Sequence, residues 1–235
     1  MSLPKILTPT FSIKIPSSGE TKRFRPFLVK EEKILLLAQQ GDEKDIVFAI
    51  KQVINNCAID SIDVDELAIF DIEYIFLQLR SKSVNNIVSL KYRDTEDDEV
   101  YSFELDLDQV DVVFDPSHTN KVIISEDVGI LLKYPSFDAI KDIIVNQVEG
   151  TMIFDKIINR CIDKVYDSTN VYTANDYTEK ELTDFIESLD FKAFRQIEQF
   201  FLTMPKIYHE LKYKNKFDHD RVIRLETIKD FFTWR

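Results

Sequence analysis

Two stretches in the middle of the chain alternate strictly between apolar and polar residues, which is typical of strands with one buried face. The apolar positions are Val88, Leu90 and Tyr92 in the first stretch, and Tyr101, Phe103, Leu105 and Leu107 in the second. Pairing Tyr92 with Tyr101 across the acidic turn keeps both apolar sets on one face and places Lys91 and Arg93 on the side of the acids. The sequence therefore predicts an antiparallel hairpin with one solvated face.

The N-terminal region predicts a shorter hairpin followed by helices. The predicted elements are strands over 11–15 and 21–27 around a turn at 17–20, then helices over 30–40, 42–57 and 63–79. Asp42 is the expected N-cap of the second helix, and Asp63 with Glu66 has the spacing of a capping box for the third. That third helix is apolar on most of its circumference, which indicates a central element or one shared with a partner.

The second half of the chain predicts strands, then helices, then a final hairpin. The predicted strands cover 121–125 and 128–134, the helices cover 136–149, 151–167, 178–189 and 191–204, and a hairpin over 206–213 and 221–225 precedes a short helix over 228–232. Thr178 and Glu181 form a capping box, and Pro205 ends the preceding helical stripe.

Together these elements predict an α+β fold: an N-terminal β-hairpin, a helical layer, a central antiparallel sheet and a C-terminal helical region with a short hairpin. The polar segment 168–177 predicts a connection between a main α+β domain over 1–167 and a C-terminal helical region over 178–235. The chain has 235 residues, enough for one large domain or two small ones.

Charge is distributed unevenly along the chain. The formal net charge of −12 argues against general binding of nucleic acid, because that binding needs a basic surface. Residues 1–33 carry seven Lys and Arg against three acids, a balance of +4, whereas 94–127 carry twelve acids and one Lys. The sequence therefore predicts a basic N-terminal hairpin and an acidic middle segment.

The cysteines and the apolar segments bear on where such a chain is found. Cys57 and Cys161 lie in apolar helical patterns, which predicts two buried free thiols in a reducing cytoplasm, with a disulfide as the alternative. Residues 1–20 lack a continuous apolar stretch after a basic start, so we expect no signal peptide. No segment approaches the about 20 apolar residues of a membrane span, so we expect no membrane partner.

Catalytic patterns are weak throughout the sequence. An enzymatic alternative is a metal-dependent hydrolase that uses His209, His219 and nearby aspartates, but their spacing does not match a zinc site. Solvated loop histidines are the simpler interpretation of both, and of His118. No phosphate-binding loop or nucleophile motif is present. We therefore expect no enzyme activity, no metal and no cofactor.

Two segments carry a resemblance to a known family. One is 11–40, with the strand Phe11-Ser-Ile-Lys-Ile, the turn at Ser17-Ser-Gly and the apolar helix after Pro26. The other is 178–232, which includes Phe194-Arg-Gln-Ile-Glu-Gln-Phe-Phe-Leu-Thr-Met-Pro-Lys-Ile-Tyr-His-Glu-Leu211 and Leu225-Glu-Thr-Ile-Lys-Asp-Phe-Phe232. Together they resemble the baseplate hub subunits of T4-like contractile-tailed bacteriophages, which have a similar chain length.

The resemblance implies a non-enzymatic structural subunit or assembly factor of the tail baseplate hub. Its implied partners are other hub or tail proteins, the tape measure protein among them, and a homo-oligomer is an open alternative. The implied locations are the host cytoplasm during assembly and the tail baseplate of the virion. The alternative function is a chaperone that shields the hub or the tape measure and is absent from the mature virion.

A more specific hypothesis concerns how such a subunit binds its partners. We expect the basic N-terminal hairpin to dock on an acidic surface, either the 94–111 segment of a neighbouring copy or a patch on another protein. The residues expected to contact partners are Lys14, Lys22, Arg23, Arg25, Phe27, Glu104, Asp106, Asp108, Phe200 and Phe201.

Overall fold

The predicted α+β class is confirmed by a computed structural model, which describes residues 8–146 and 151–231. Its helices are α1 (Val29–Ala38), α2 (Glu43–Cys57), α3 (Ile69–Ser83), α4 (Phe137–Asn146), α5 (Thr151–Cys161), α6 (Glu179–Glu187) and α7 (Phe191–Leu202). Short 3-10 helices cover Leu107–Gln109, Ala174–Asp176 and Ile228–Phe231.

The strands form small antiparallel sheets. They are β1 (Phe11–Lys14), β2 (Thr21–Phe24), β3 (Ile87–Arg93), β4 (Val100–Asp106), β5 (Asp111–Val113), β6 (Lys121–Ile123), β7 (Gly129–Leu132), β8 (Ile162–Tyr166), β9 (Val171–Thr173), β10 (Lys206–Lys214) and β11 (Asp220–Leu225). The sheet orders are β1-β2, β3-β4, β11-β10-β5 and β6-β7-β8-β9. Tyr92 pairs with Tyr101, so the predicted register of the middle hairpin is confirmed.

The chain forms two compact units that alternate along the sequence. Unit 1 contains the described parts of 1–64, 70–113 and 206–235, and unit 2 contains 65–69 and the described parts of 114–205. The segment 168–177, expected to be a connection, holds β9 and a 3-10 helix. The division into domains over 1–167 and 178–235 stays a prediction.

Unit 1 is organised around α3, which is buried on most of its circumference. Its buried apolar residues are Phe70, Ile72, Ile75, Phe76, Leu77 and Leu79. A period of 3.6 residues cannot place these positions on one face, so neighbouring elements must cover the helix from several sides. The sequence signal for a central helix is confirmed in this respect, although the helix begins at Ile69 rather than near Asp63.

Hydrogen bonds within unit 2 explain why α3 begins later than predicted. The backbone carbonyls of Asp65 and Leu67 accept hydrogen bonds from the N–H groups of Asp138 and Phe137, and Ala68 forms a β-bridge with Ser136. These long-range bonds hold 65–68 in a non-helical conformation, which a local capping pattern does not reveal.

Unit 2 packs a four-stranded sheet against helices. Its core includes Val122, Ile130, Leu132, Ile158, Ile162, Ile186, Ile197 and Phe200. Gly129 is required where β7 passes β8, because a Cβ there would lie 2.3 Å from the Tyr166 hydroxyl and 2.7 Å from the Val122 carbonyl oxygen. The side chain of Gln196 donates to the carbonyl oxygen of Ile123 and accepts from its N–H, which covers the outer edge of β6.

The helix predicted over 151–167 is wrong in its second half. It ends at Cys161, and Ile162–Tyr166 form β8, which pairs with both β7 and β9. Ile162 and Val165 are β-branched residues that fit a pleated strand as well as a helix, and the pairing partners decide between the two.

Cys57 and Cys161 are buried free thiols, as predicted. Burial raises the pKa of Cys57 to about 11 and that of Cys161 to about 12. Both thiols are therefore protonated at neutral pH and are weak nucleophiles. Within 8–146 and 151–231, the structure contains no helix with the length and hydrophobicity needed to cross a bilayer.

Candidate interaction surfaces

The N-terminal hairpin is fixed to the body of unit 1 at its turn. The backbone N–H of Ser17 donates a 2.9 Å hydrogen bond to a carboxylate oxygen of Asp71 on α3, and the Ser17 hydroxyl donates to its other oxygen. Asp71 is fully buried. The hairpin is therefore a rigid part of unit 1, and its charged side chains have defined positions.

Most of the cations on this hairpin already have partners within the chain. Arg23 forms a fork with Asp60, with a shortest N–O distance of 2.6 Å, and its backbone N–H also donates to Asp60. Hydrogen bonds from the side chain and backbone of Arg23 lower the pKa of Asp60. Lys22 lies 3.0 Å from Glu20. Lys14 is exposed and forms no ion pair with the residues that the structure describes.

Arg25 stabilises the start of α1 through contacts within the chain. Its guanidinium pairs with Glu31 at 3.0 Å and donates to the carbonyl oxygens of Asn56 and Pro26. The Glu31 side chain is fully buried and also accepts from the Leu28 N–H. Burial alone would raise the pKa of Glu31, but the bonds from Arg25 and Leu28 outweigh it and lower the pKa. This ion pair joins β2, α2 and the first turn of α1.

Two of the three acidic residues predicted to contact partners accept hydrogen bonds from side chains of the same chain. Glu104 is exposed. Asp106 accepts from the side chain of Asn86 at 2.9 Å, and Asp108 accepts from Lys82 at 2.8 Å and from the Ser81 hydroxyl at 2.5 Å. Hydrogen bonds from Lys82 and Ser81 lower the pKa of Asp108. Of the three, Glu104 is thus the carboxylate most available to a partner.

The phenylalanines that were expected to bind partners lie at different depths. Phe27 is buried in unit 1, and Phe200 is 1% exposed in the core of unit 2. Phe201 is half-buried, and its ring lies 5.2 Å from that of Phe200. Partner contact by these side chains stays a prediction. Leu202, which follows Phe201 on α7, is an exposed apolar side chain.

The structure brings together two hairpin turns of unit 1 that the sequence analysis did not connect. One is the acidic turn between β3 and β4, and the other is the turn between β10 and β11. Asp94 accepts hydrogen bonds from the Tyr213 hydroxyl at 2.5 Å and from Arg221 at 3.1 Å. Asp97 accepts from the Lys216 N–H at 2.9 Å and from the Tyr101 hydroxyl at 2.7 Å.

Glu96 adds further contacts to this junction, which we call the turn cluster. It lies 2.8 Å from the imidazole of His219 and accepts from Asn215 at 2.7 Å. The bond from Tyr213 is the main cause that lowers the pKa of Asp94, and the bond to Asp97 raises the pKa of Tyr101 to about 12. The sequence marked the first turn as acidic, but the second turn, 214–220, carries two Lys and two Asp and gave no matching charge signal.

The histidines occupy different environments. His219 belongs to the turn cluster, whereas His118 packs against Phe200 at 5.1 Å and lies 2.9 Å from the Thr203 hydroxyl. The expectation of a solvated loop is therefore wrong for His118, and burial lowers its pKa. Among the described residues, no group of three or more His, Cys, Asp or Glu is arranged to hold a metal ion.

A comparison with known protein families gives a match over most of the chain. A family model described as T4 bacteriophage base plate protein matches residues 8–233. A search of curated proteins and a search of solved structures each found no match. The matched range spans both units and nearly the whole sequence, so this chain belongs to the family of T4 bacteriophage base plate proteins.

Proposed function

We propose that this protein is a non-enzymatic component of the tail baseplate hub and acts through protein–protein contacts, as a structural subunit or as a factor in hub assembly. The family match over 8–233 carries the proposal. The resemblance of 11–40 and 178–232 to hub subunits narrows it to that part of the baseplate. The proposed partners are other hub or tail proteins, including the tape measure protein.

Exposed apolar side chains in each unit support a role in assembly. Leu37 on α1 is 67% exposed, and Phe191 and Leu202 at the two ends of α7 are 71% and 79% exposed. Large apolar side chains that cluster on a protein surface are typical of surfaces that another protein covers.

The rigid N-terminal hairpin supplies a charged contact in this proposal. Lys14, with no ion pair to the described part of the chain, and the partly exposed fork of Arg23 are its available cations. Exposed charges of this kind chiefly speed and orient association. Lys14→Glu should therefore slow association with a hub partner in a salt-dependent way, whereas Lys180→Glu, at an exposed position on α6, is a matched control.

Quantitative mass spectrometry of purified virions beside infected-cell lysate tests the proposed function. A fixed copy number in virions, in proportion to hub proteins, supports a structural subunit. Abundance in lysate with absence from virions supports an assembly factor or the chaperone alternative. If phage that lack this protein build normal baseplates, and the protein is also absent from virions, the hub proposal is wrong.

A further inference from the structure

A groove of about 380 Å³, lined by both apolar and polar residues, opens on unit 1 between α1, α3 and β3. Its apolar lining includes Phe27, Leu35, Leu36, Phe76, Val84 and Ile87. Several of these side chains also form an exposed rim: Leu36 is 52% exposed, Val84 54% and Ile87 38%. Exposed apolar side chains therefore border the groove.

The sequence of α1 explains why this surface is left uncovered. Leu35, Leu36 and Leu37 are consecutive, and each residue turns the helix by about 100°. Three successive leucines therefore cannot all face one core. Leu35 is buried at 8% exposure, whereas Leu36, which also lines the groove, is 52% exposed. A surface helix normally carries polar residues on its outer face, so this arrangement indicates that something packs there.

Two opposite charges lie in the same groove without a close partner. Arg80 reaches it from α3, and its Nη1 is buried without a hydrogen-bond partner within the described residues. Glu32 reaches it from α1, is exposed, and makes no ion pair within 4 Å in the part of the chain that the structure describes. The two side chains are near enough that the charge of Glu32 partly offsets the lowering of the Arg80 pKa by burial.

A surface with one anion beside one cation is complementary to itself. A two-fold axis that passes between the two charges places each over its opposite on the second copy, which is the arrangement of an isologous interface. The apolar rim becomes buried in the same contact, and the desolvated guanidinium gains a carboxylate. A second copy of this chain therefore satisfies both the apolar and the charged features of the groove.

We propose that this groove binds the same groove of a second copy, with Glu32 of each copy against Arg80 of the other and the Leu36 side chains buried between them. This inference goes beyond the proposed function. Its test uses only purified protein, so its failure would leave the virion measurement unaffected.

The test is sedimentation velocity of the full-length chain over a concentration series from the micromolar range upward. The wild-type chain should show a monomer–dimer equilibrium. Leu36→Glu should raise the dimer Kd by about tenfold or more, because it buries a charge in an apolar contact. Leu202→Glu, at another highly exposed leucine, is the matched control and should leave the dimer unchanged.

The charge pair gives a sharper test. Glu32→Arg and Arg80→Glu should each weaken the dimer by about tenfold or more through like-charge repulsion. Mixing the two variants should restore dimers, because both pairs in the mixed dimer again have opposite charge. Circular dichroism checks that each variant folds, and if Arg80→Glu does not, the exposed substitutions Glu32→Arg and Leu36→Glu decide alone. A monomeric wild type, or a dimer that neither exposed substitution weakens, would overturn the proposal.

Discussion

The hydroxyl of Tyr213 donates a 2.5 Å hydrogen bond to the buried carboxylate of Asp94, 119 residues earlier in the chain. The Tyr213 ring also packs on Tyr101 and Phe103, with centroid distances of 4.7 and 5.3 Å. One side chain from β10 thus joins the β3-β4 hairpin through both polar and aromatic contacts. These contacts fix the β3-β4 and β10-β11 hairpins of unit 1 to each other.

Tyr213→Phe should lower the Tm, because it keeps the aromatic contacts and leaves the Asp94 carboxylate with one donor fewer. Tyr208→Phe is the matched control. Its hydroxyl bonds Glu210 two residues away on the same strand, so its loss should matter less. Thermal unfolding followed by circular dichroism measures both, and an equal loss in the two variants would show that the turn cluster does not hold the hairpins together.

Arg25→Met should lower the free energy of unfolding by about 3 kcal/mol, because the buried carboxylate of Glu31 loses the guanidinium that donates to both of its oxygens and keeps only Lys30, 3.4 Å away and largely exposed. The Glu31 side chain is 0% exposed, and that of Arg25 is 16% exposed. Urea unfolding measures the change. Arg25 is consequently a poor position for testing partner binding by charge reversal, since the chain itself depends on this residue.

A double variant separates the ion pair from the loss of packing. Arg25→Met combined with Glu31→Leu removes both charges, so the total loss should be smaller than that of Arg25→Met alone. A residual loss of about 1 kcal/mol is expected, because Glu31 also caps the Leu28 N–H at the start of α1. A double variant less stable than Arg25→Met would contradict the stranded-charge explanation.

Glu73 on α3 predicts a decrease of stability with rising pH. Burial raises its pKa from the usual 4.5 to about 7, despite a hydrogen bond from the Ile228 N–H. Between these two values the folded state binds more protons than the unfolded state, so stability falls as pH rises through this range and levels off above it. The contribution of this group between pH 5 and pH 8 is about 2 kcal/mol.

Glu73→Gln should remove that component and retain the acceptor for Ile228. The variant should be more stable than the wild type at pH 8 and should lose less stability between pH 5 and pH 8, as measured by urea unfolding at each pH. Glu104→Gln, at an exposed position, is the control and should keep the wild-type pH dependence. A wild-type pH dependence in Glu73→Gln would rule out Glu73 as the source.

Local sequence pattern was sufficient to predict where a helix begins when residues of that helix form its cap. Asp42 caps α2 through bonds to the N–H groups of Lys44 and Asp45, and Thr178 with Glu181 forms the capping box of α6, both as predicted. Local sequence pattern failed where residues distant in sequence determine the secondary structure. Ile162 lies in β8 because Leu132 pairs with it, and no periodicity within 151–167 encodes that pairing.

The candidate contact residues show the same limit. Opposite charges on the N-terminal hairpin and the middle segment were evident in the sequence. The sequence did not show that Arg23 and Arg25 already form ion pairs with Asp60 and Glu31. The turn cluster and the groove with Glu32 and Arg80 depend on elements that meet only in the folded chain. Sequence charge therefore identified the type of surface but not which charges remain available.

Phe200→Ala should lower the free energy of unfolding by about 3–5 kcal/mol, because it opens a cavity in the core of unit 2. Phe200 is 1% exposed, and Leu202 two residues later is 79% exposed. Leu202→Ala is therefore the matched control and should change stability by less than about 0.5 kcal/mol. Urea unfolding of the isolated protein measures both.

If Phe200→Ala is destabilised as expected, an assembly defect in that variant cannot be assigned to a lost partner contact. The exposed Phe191 and Leu202 are then the positions on α7 at which partner binding should be tested. A Phe200→Ala variant as stable as the wild type would contradict its place in the core.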